Sequence, residues 1–135
     1  MRIRKAKKAD FPRILEIAQK HSLDYFGMEA DDFWVAEERG KIRGICGLKK
    51  HHDCLELCSL GVDKKYRRQG LARQLVIALL QDVSGEIYLA TIIPAFFEPF
   101  GFKKTGRIPG SMIKKSEWCA GCNRKRCTIM IRTDG

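Results

Sequence analysis

Apolar residues recur at helical spacing in two segments of the chain, and neighbouring residues mark where each helix begins. The first predicted helix runs from Phe11 to about Lys20. Asp10 precedes it in the N-cap position, and Pro12 lies in its first turn. The second predicted helix begins after Gly70 and has one apolar side. That side is formed by Leu71, Ala72, Leu75, Val76, Ala78 and Leu79.

Shorter apolar stretches between polar turns predict β-strands over most of the remaining chain. Arg39-Gly40-Lys41 and His51-His52-Asp53 are the predicted turns of a three-stranded meander. The predicted strands are Arg2–Lys5, Phe33–Glu38, Ile42–Lys50, Cys54–Val62, Glu86–Thr91, Phe102–Arg107 and Cys127–Arg132. A short helix is predicted for Pro94–Phe100, closed by Gly101.

The order of these elements indicates a mixed α/β fold rather than a regular alternation of strands and helices. No linker rich in proline, glycine or serine interrupts the chain. Because a domain usually contains roughly 100–200 residues, the 135 residues correspond to one domain. We therefore expect a single domain over residues 1–135, with a cysteine-containing loop at about residues 116–127.

The composition is that of a folded protein without a membrane span. Hydrophobic residues make up 44% of the chain and charged residues 31%, interleaved, which excludes a disordered tail. The longest apolar run, Leu75–Leu80, is far shorter than the ~20 residues that a membrane-spanning helix needs. The basic N-terminus lacks the apolar stretch of a secretory signal. We expect a cytoplasmic protein with no membrane partner.

The net charge of +10 indicates an anionic partner. Charge alone does not distinguish among a nucleic acid, a membrane surface and a phosphorylated small molecule. A dense part of this charge lies between Lys64 and Arg73, where a strand is followed by a turn at Gly70 and a helix. Helix N-termini bind anions, and a glycine permits close approach, so a diphosphate site is favoured. A solvated basic turn is the alternative. The glycine pattern excludes a P-loop and a Rossmann fingerprint.

Two motifs give this segment a specific resemblance. Arg67-x-x-Gly70-x-Ala72 resembles the Gln/Arg-x-x-Gly-x-Gly/Ala signature of the GNAT acetyltransferases, and it follows a strand ending in Leu60-Gly61-Val62. Phe96–Phe102 resembles the second motif of that family, an aromatic-rich helix ending in Gly-Phe. The resemblance implies the GNAT fold, whose central, mostly antiparallel sheet splays between the fourth and fifth strands and is flanked by helices. It also implies an acetyl-CoA-dependent N-acetyltransferase.

The resemblance further implies where the co-substrate acetyl-CoA is bound. It would lie between the strands Cys54–Val62 and Glu86–Thr91. Leu60 and Val62 would provide backbone hydrogen bonds to the pantetheine arm. The pyrophosphate would be wrapped by the residues of the signature loop, which are Arg67, Arg68, Gln69, Gly70, Leu71, Ala72 and Arg73.

Glu56 is the candidate general base, because several family members carry a glutamate on the same strand, eleven residues before the signature. It would take a proton from the acceptor amine, often through water. A surface or ion-paired glutamate is the alternative interpretation. Many members also have a tyrosine that protonates the departing thiolate, but Phe97 stands at that position and cannot donate a proton. Tyr88, water and Cys58 remain as candidate acids.

One branch of the family resembles the chain more than others do. Glu56–Val62, Thr91–Phe102 and a C-terminal cluster of tryptophan and cysteine resemble acetyltransferases like the N-acetylglutamate synthase of arginine biosynthesis. This implies a small-molecule amine as acceptor, such as a glutamate-like amino acid. Arg43, Lys49 and Lys50 would face its carboxylates, or else be ordinary solvated strand residues. A protein or peptide N-acetyltransferase is the alternative.

Cys119, Cys122 and Cys127 have the close first pair typical of zinc or iron–sulfur ligands. A fourth zinc ligand would have to come from His51, His52 or a second subunit. Three interpretations of the trio are therefore open: a metal site, a redox-active group of thiols, or an exposed loop. The trio also raises an alternative of another class, a basic nucleic-acid-binding module with a zinc knuckle. The missing fourth ligand disfavours nucleic acid as a partner. The oligomeric state is open, with a homodimer among the options.

Overall fold

The computed structural model describes residues 1–67, 69–113 and 127–133. The strands in these residues are β1 (Arg2–Lys5), β2 (Phe33–Glu38), β3 (Lys41–Lys50), β4 (Leu55–Val62), β5 (Ile87–Thr91), β6 (Lys103–Lys104) and β7 (Thr128–Arg132). The α-helices with defined bounds are α1 (Phe11–Lys20), α2 (Leu71–Gln81) and α3 (Pro94–Phe97), and residues 110–113 are also helical. No helix in the described ranges is long and apolar enough to cross a membrane.

The seven strands in the described part of the chain form one open sheet in the order β1-β2-β3-β4-β5-β7-β6. The pairings β1–β2, β2–β3, β5–β7 and β6–β7 are antiparallel. Only the β4–β5 pairing in the described residues is parallel, and it covers one register position, Glu56 with Tyr88. The predicted mixed α/β fold with a mostly antiparallel sheet and flanking helices is confirmed.

Two elements are shorter than predicted, and local hydrogen bonding explains both. The strand predicted over Phe102–Arg107 is limited to β6, because Thr105 Oγ1 accepts a hydrogen bond from the Arg107 N–H at 3.1 Å and turns the chain. The helix predicted over Pro94–Phe100 is α-helical only in its first part, and a 3-10 turn follows. Pro99 has no N–H to continue the α-helical ladder.

Asp10 precedes α1 as predicted, but its side chain does not cap that helix. The carboxylate instead accepts hydrogen bonds from the Lys7 N–H at 2.7 Å and from the Arg4 guanidinium at 2.8 and 3.1 Å. The hydrogen bond from Arg4 is the main reason that the pKa of Asp10 is lowered. The predicted N-cap position of Asp10 is therefore confirmed, but its carboxylate ties the start of the helix to β1 and does not bind the N–H groups of the first turn.

The first of two compact units comprises Met1–Lys49 and Leu57–Ser84, with a helix on each face of its strands. The cluster under α1 includes Ile14, Ile17, Phe33, Val35, Ile42 and Ile45. Adjacent strand residues point to opposite faces, so Gly44 faces away from the cluster that contains Ile45. A Cβ at Gly44 would lie 3.1 Å from Cδ1 of Leu75 in α2, so α2 covers the opposite face at close range.

A bulge distorts β4. The Asp63 N–H donates to the Arg43 carbonyl at 2.8 Å, and the His51 N–H donates to the Cys54 carbonyl at 2.9 Å. Between these two hydrogen bonds the chain takes eight steps from Arg43 to His51 but nine from Cys54 to Asp63. The β4 side therefore contains one extra residue. Ser59, whose φ is +55°, accommodates the extra residue.

The second unit comprises Lys50–Glu56 and Gly85–Gly135. In its sheet β7 lies between β5 and β6 and is antiparallel to both. Its core packs Tyr88, Met112 and Ile129 with the partly buried Cys54, Ala90 and Ile131. The start of β4 joins this unit, where Glu56 is in register with Tyr88. The predicted single domain stays a prediction.

Candidate functional site

The N-terminus of α2 carries unpaired backbone donors in the signature segment. Gly70 is its N-cap with φ +75°, and the first helical hydrogen bond runs from the Gln74 N–H to the Gly70 carbonyl at 3.1 Å. The preceding N–H groups of Leu71, Ala72 and Arg73 therefore have no acceptor within the helix. Among the described residues no side chain caps this end, and the first turn has no acidic residue. The arrangement suits an anion.

The side chains around these donors divide between core and solvent. Leu71 is buried, so it anchors the helix and offers a ligand only its backbone N–H, whereas Ala72 is half-buried. Gln69, Gly70 and Arg73 are exposed, so their side chains or backbone are accessible. Arg68, which the signature places in the same loop, lies outside the described residues.

Arg67 is folded back onto the end of β4. Its Nε donates to the Val62 carbonyl at 3.2 Å, and Nη2 lies 3.3 Å from Nδ1 of His21 at the end of α1. Val62 is buried and Leu60 half-buried. Burial and, secondarily, the charge of Arg67 lower the pKa of His21, so the neutral imidazole that accepts from Arg67 is favoured. Sequence reasoning missed His21, because it lies 46 residues from Arg67 and no local pattern links them.

Glu56 is the most deeply buried carboxylate among the described residues, with 1% of its surface exposed. Its Oε1 lies 2.8 Å from Nε2 of His51, whose side chain is 16% exposed. The turn after β3 brings His51 back over the start of β4, which explains how residues five positions apart meet. Burial excludes the interpretation of Glu56 as a surface glutamate. The short contact with His51 is compatible both with an ion-paired glutamate and with a catalytic base.

Tyr88 lies beside Glu56 on β5 and is 4% exposed. Its hydroxyl oxygen accepts a hydrogen bond from Nε of Arg107 at 3.0 Å, and Nη2 of Arg107 also contacts Glu86 at 2.9 Å. A phenol that accepts from a guanidinium keeps its own proton for donation. The geometry therefore suits Tyr88 as a proton donor.

Neither Phe97, at the family's usual acid position, nor the candidate acid Cys58 has this capacity. Phe97 is buried in an aromatic cluster, with its ring centroid 4.9 Å from that of Phe96 and 5.9 Å from that of Phe102. Cys58 is also buried, and its Sγ lies 3.6 Å from the Met28 sulfur. A buried thiol in apolar surroundings is a poor proton donor.

Residues 2–102 match the family model described as the acetyltransferase (GNAT) family. The chain belongs to this family. The match covers the strand, loop and helix that carry the signature, and it extends to the Gly-Phe end of the second motif. The GNAT resemblance is confirmed at the level of the family.

Individual relatives share limited sequence identity with this chain. Human N-acetyltransferase 8 is 34% identical over 98 residues, which cover 62% of this GNAT chain and 43% of the relative. The chain thus spans less than half the length of that relative. The structure of N-acetylglutamate synthase from Neisseria gonorrhoeae, complexed with coenzyme A and N-acetyl-glutamate, aligns with a TM-score of 0.75 and 18% identity, covering 99% of this chain and 35% of that one.

A second solved structure is that of an enzyme named for a protein substrate. The ribosomal-protein-S18-alanine N-acetyltransferase from Escherichia coli aligns with a TM-score of 0.70 and 18% identity, covering 99% of this chain and 94% of that one. At such identities both likenesses show the fold alone. The N-acetylglutamate synthase branch is therefore one of several neighbours of this GNAT chain.

The cysteine trio of this GNAT protein falls mostly outside the described residues, which include Cys127 but not Cys119 or Cys122. Within residues 1–67, 69–113 and 127–133, no group of three His, Cys, Asp or Glu side chains could hold a metal ion. The metal-binding, redox-active and exposed-loop interpretations of the trio all stay open predictions.

Proposed function

We propose that the protein is an acetyl-CoA-dependent N-acetyltransferase. The observation that carries this proposal is the uncapped N-terminus of α2, placed at the glycine of the family signature. Three successive backbone N–H groups and the positive end of an 11-residue helix fit the diphosphate of CoA. The absence of any acidic residue in the first turn removes the repulsion that would oppose it.

In this proposal the binding residues divide into two groups along the chain. Leu60 and Val62, at the end of β4, provide backbone contacts to the pantetheine arm. The residues of the diphosphate site are Arg67, Arg68, Gln69, Gly70, Leu71, Ala72 and Arg73. Leu71 contributes only its N–H because its side chain is in the core, whereas Arg73 adds a charge-assisted contact from an exposed side chain.

Transfer of the acetyl group needs two proton movements, for which the second unit offers two groups. Bound acetyl-CoA supplies the activated acetyl carbon, to which the acceptor nitrogen forms a bond as the carbon–sulfur bond breaks. Glu56 takes the proton that the amine must lose, and Tyr88 supplies the proton that the thiolate gains. The hydrogen bond from Arg107 to the Tyr88 oxygen supports the second role, since it stabilises the phenolate that remains.

For the acceptor we propose a small molecule with a primary amine, such as a glutamate-like amino acid. The excess of positive charge and the likeness to N-acetylglutamate synthase support a carboxylated acceptor. Two of the side chains expected to face its carboxylates have protein partners. Lys49 contacts Asp24 at 3.0 Å, and Arg43 stacks on the Tyr66 ring at 4.8 Å. Lys50 is exposed.

A protein or peptide N-terminus is the second candidate acceptor. The likeness to the ribosomal-protein N-acetyltransferase, which covers nearly the whole of both chains, favours it. The two candidates differ in charge, because a carboxylated metabolite is anionic and a basic peptide is cationic.

Titration calorimetry with acetyl-CoA tests the proposal, with Gly70→Glu as the informative variant. A glutamate there places a carboxylate at the anion site and is strained at φ +75°, so we expect acetyl-CoA binding to be lost. Gly40→Glu is the matched control, because Gly40 has φ +79°, equally open surroundings and a position in the β2–β3 turn. Equal affinity in the wild type and Gly70→Glu would contradict the proposal.

The acceptor is identified by the release of CoA thiol across a panel of amines. Glutamate, other amino acids and peptides with free N-termini are compared at the same acetyl-CoA concentration. Turnover with glutamate and not with peptides supports the first candidate, and the reverse result supports the second.

A further inference from the structure

The buried carboxylate of Glu56 has a histidine partner that the proposed reaction does not yet use. Their contact, 2.8 Å between Nε2 and Oε1, is short enough for a charge-assisted hydrogen bond. A proton must lie between two such atoms at this distance. With an ionised carboxylate, that proton is on Nε2 of His51, and the imidazole donates.

Burial makes this donor consequential. An ionised carboxylate with 1% exposure has lost its hydration, so its charge must be stabilised by hydrogen bonds from the protein. A base that is already protonated cannot accept a proton from the amine. The donor that favours the ionised form therefore also keeps the base ready and fixes its orientation.

We propose that His51 is a positioning residue for catalysis, which holds the Glu56 carboxylate ionised and oriented toward the acceptor amine through its Nε2–H. This inference rests on the proposed function of Glu56 as the general base. His51 itself touches neither substrate in this account and acts only through Glu56.

The surroundings of the pair contain further polar groups. Other titratable or charged groups around the pair are His52, Asp53 and Cys54 on the same turn, and Tyr88 with Arg107 beside β5.

Two of these neighbours do not titrate in the useful range. Hydrogen bonds from Ser111 lower the pKa of Asp53 to about 2, and burial raises the pKa of Cys54 to about 12. Asp53 and Cys54 therefore keep a fixed charge near neutral pH, where activity is measured.

The test compares His51→Ala, which lacks a donor, with His51→Gln, which keeps an N–H donor but does not titrate. We expect His51→Ala to lower kcat by about 10- to 100-fold, the usual effect of removing a donor to a charged group. We expect His51→Gln to retain most of the wild-type kcat, because its amide still donates a hydrogen bond to the carboxylate. The affinity for acetyl-CoA should stay within about twofold in both.

His52→Gln is the matched control, because His52 is the exposed neighbour on the same turn. This substitution should leave kcat unchanged. In Glu56→Gln the base is already lost, so adding His51→Ala should cause little further loss of kcat. Wild-type kcat in His51→Ala, or a loss of kcat in His51→Gln as large as that in His51→Ala, overturns the proposal. A lower melting temperature with unchanged kcat in His51→Ala would show a structural role alone and also overturns it.

A readout without turnover separates this proposal from the proposed function. Nitrogen-15 spectra of the His51 ring in the substrate-free protein should show the proton on Nε2, as expected for a donor to Glu56. A bare Nε2 in the wild type overturns the proposal even if the enzyme is active. Failure of the wild type to bind acetyl-CoA or release CoA overturns the proposed function, and the catalytic role of His51 with it.

Discussion

A second histidine, His21, connects the signature loop to α1 through its contact with Arg67. His21 accepts from Arg67 through Nδ1, and its Nε2 is buried without a hydrogen-bond partner among the described residues. A proton added to this ring would place a positive charge against the Arg67 guanidinium. The neutral ring therefore keeps Arg67 at the end of β4, where it also binds the Val62 carbonyl.

The lowered pKa of His21 predicts a pH-dependent stability. Burial, with Arg67 as a smaller cause, lowers its pKa from the ordinary 6.5, so the unfolded chain takes up the proton at a higher pH than the folded one. Its contribution to the free energy of unfolding is complete above about pH 6.5 and is lost as the pH falls through the lowered folded pKa. Urea unfolding between pH 7.5 and 5 measures this loss.

We expect His21→Gln to flatten this part of the stability profile, whereas His52→Gln keeps it because His52 is exposed. Parallel profiles for the wild type and His21→Gln would show that another group is responsible.

At this scale the sequence points to candidate residues but not to their partners. Gly70 and Glu56 stand out as candidates because each lies within a motif or an apolar strand. His51 and His21 could not, because each meets its partner only after a turn or a helix has placed it. Such contacts depend on the folded backbone and leave no periodic trace.

The strands described contain a register shift between β2 and β3 at Ala36 and Glu37, and a bulge in β4. Ser59 has a left-handed conformation that is unfavourable for residues with a Cβ, and its hydroxyl donates a hydrogen bond to the Asp24 carbonyl. That bond attaches the segment after α1 to β4. The hydroxyl thus offsets part of the cost of its own backbone conformation.

Two substitutions separate the hydroxyl from the backbone conformation. Ser59→Ala loses the hydrogen bond and keeps the strained Cβ, so we expect a loss of about 1–2 kcal/mol in the free energy of unfolding. Ser59→Gly also loses the hydrogen bond but adopts positive φ easily, so we expect it to be more stable than Ser59→Ala. Chemical denaturation ranks the three proteins. A lower stability of Ser59→Gly than of Ser59→Ala would contradict a strained bulge.

The periodic pattern predicted α1 well, because the helical spacing of Ile14, Ile17 and Ala18 buries one face. β1 also coincides with its predicted range, although none of its residues is buried. The pattern is a poor guide where local hydrogen bonds decide. β6 is shorter than predicted because the Thr105 hydroxyl, which has no hydropathy signal, turns the chain. The position of β7 between two earlier strands is set by pairing, which a linear pattern does not contain.

For the whole molecule, the excess of positive charge predicts salt-dependent binding of acetyl-CoA. Exposed charges are screened over about 10 Å at 0.1 M salt, so the affinity should fall as salt is raised. Arg73→Gln should weaken binding by about 2- to 5-fold at low salt and reduce its salt dependence, because Arg73 lies in the first turn of α2. Calorimetry at several salt concentrations measures both effects.

Lys103→Gln removes the same charge from an exposed position on β6, and we expect little change in affinity from it. Equal effects of the two substitutions would mean that net charge, rather than a contact from Arg73, governs binding.

The position of β7 has a consequence for synthesis on the ribosome. β5 and β6 leave the ribosome before β7, yet neither pairs with the other, and each depends on β7 as its antiparallel neighbour. The sheet of the second unit therefore cannot reach its final strand order until Thr128–Arg132 has been translated. Until then the nascent chain carries two strand edges that lack this neighbour, whereas every strand of the first unit has already emerged.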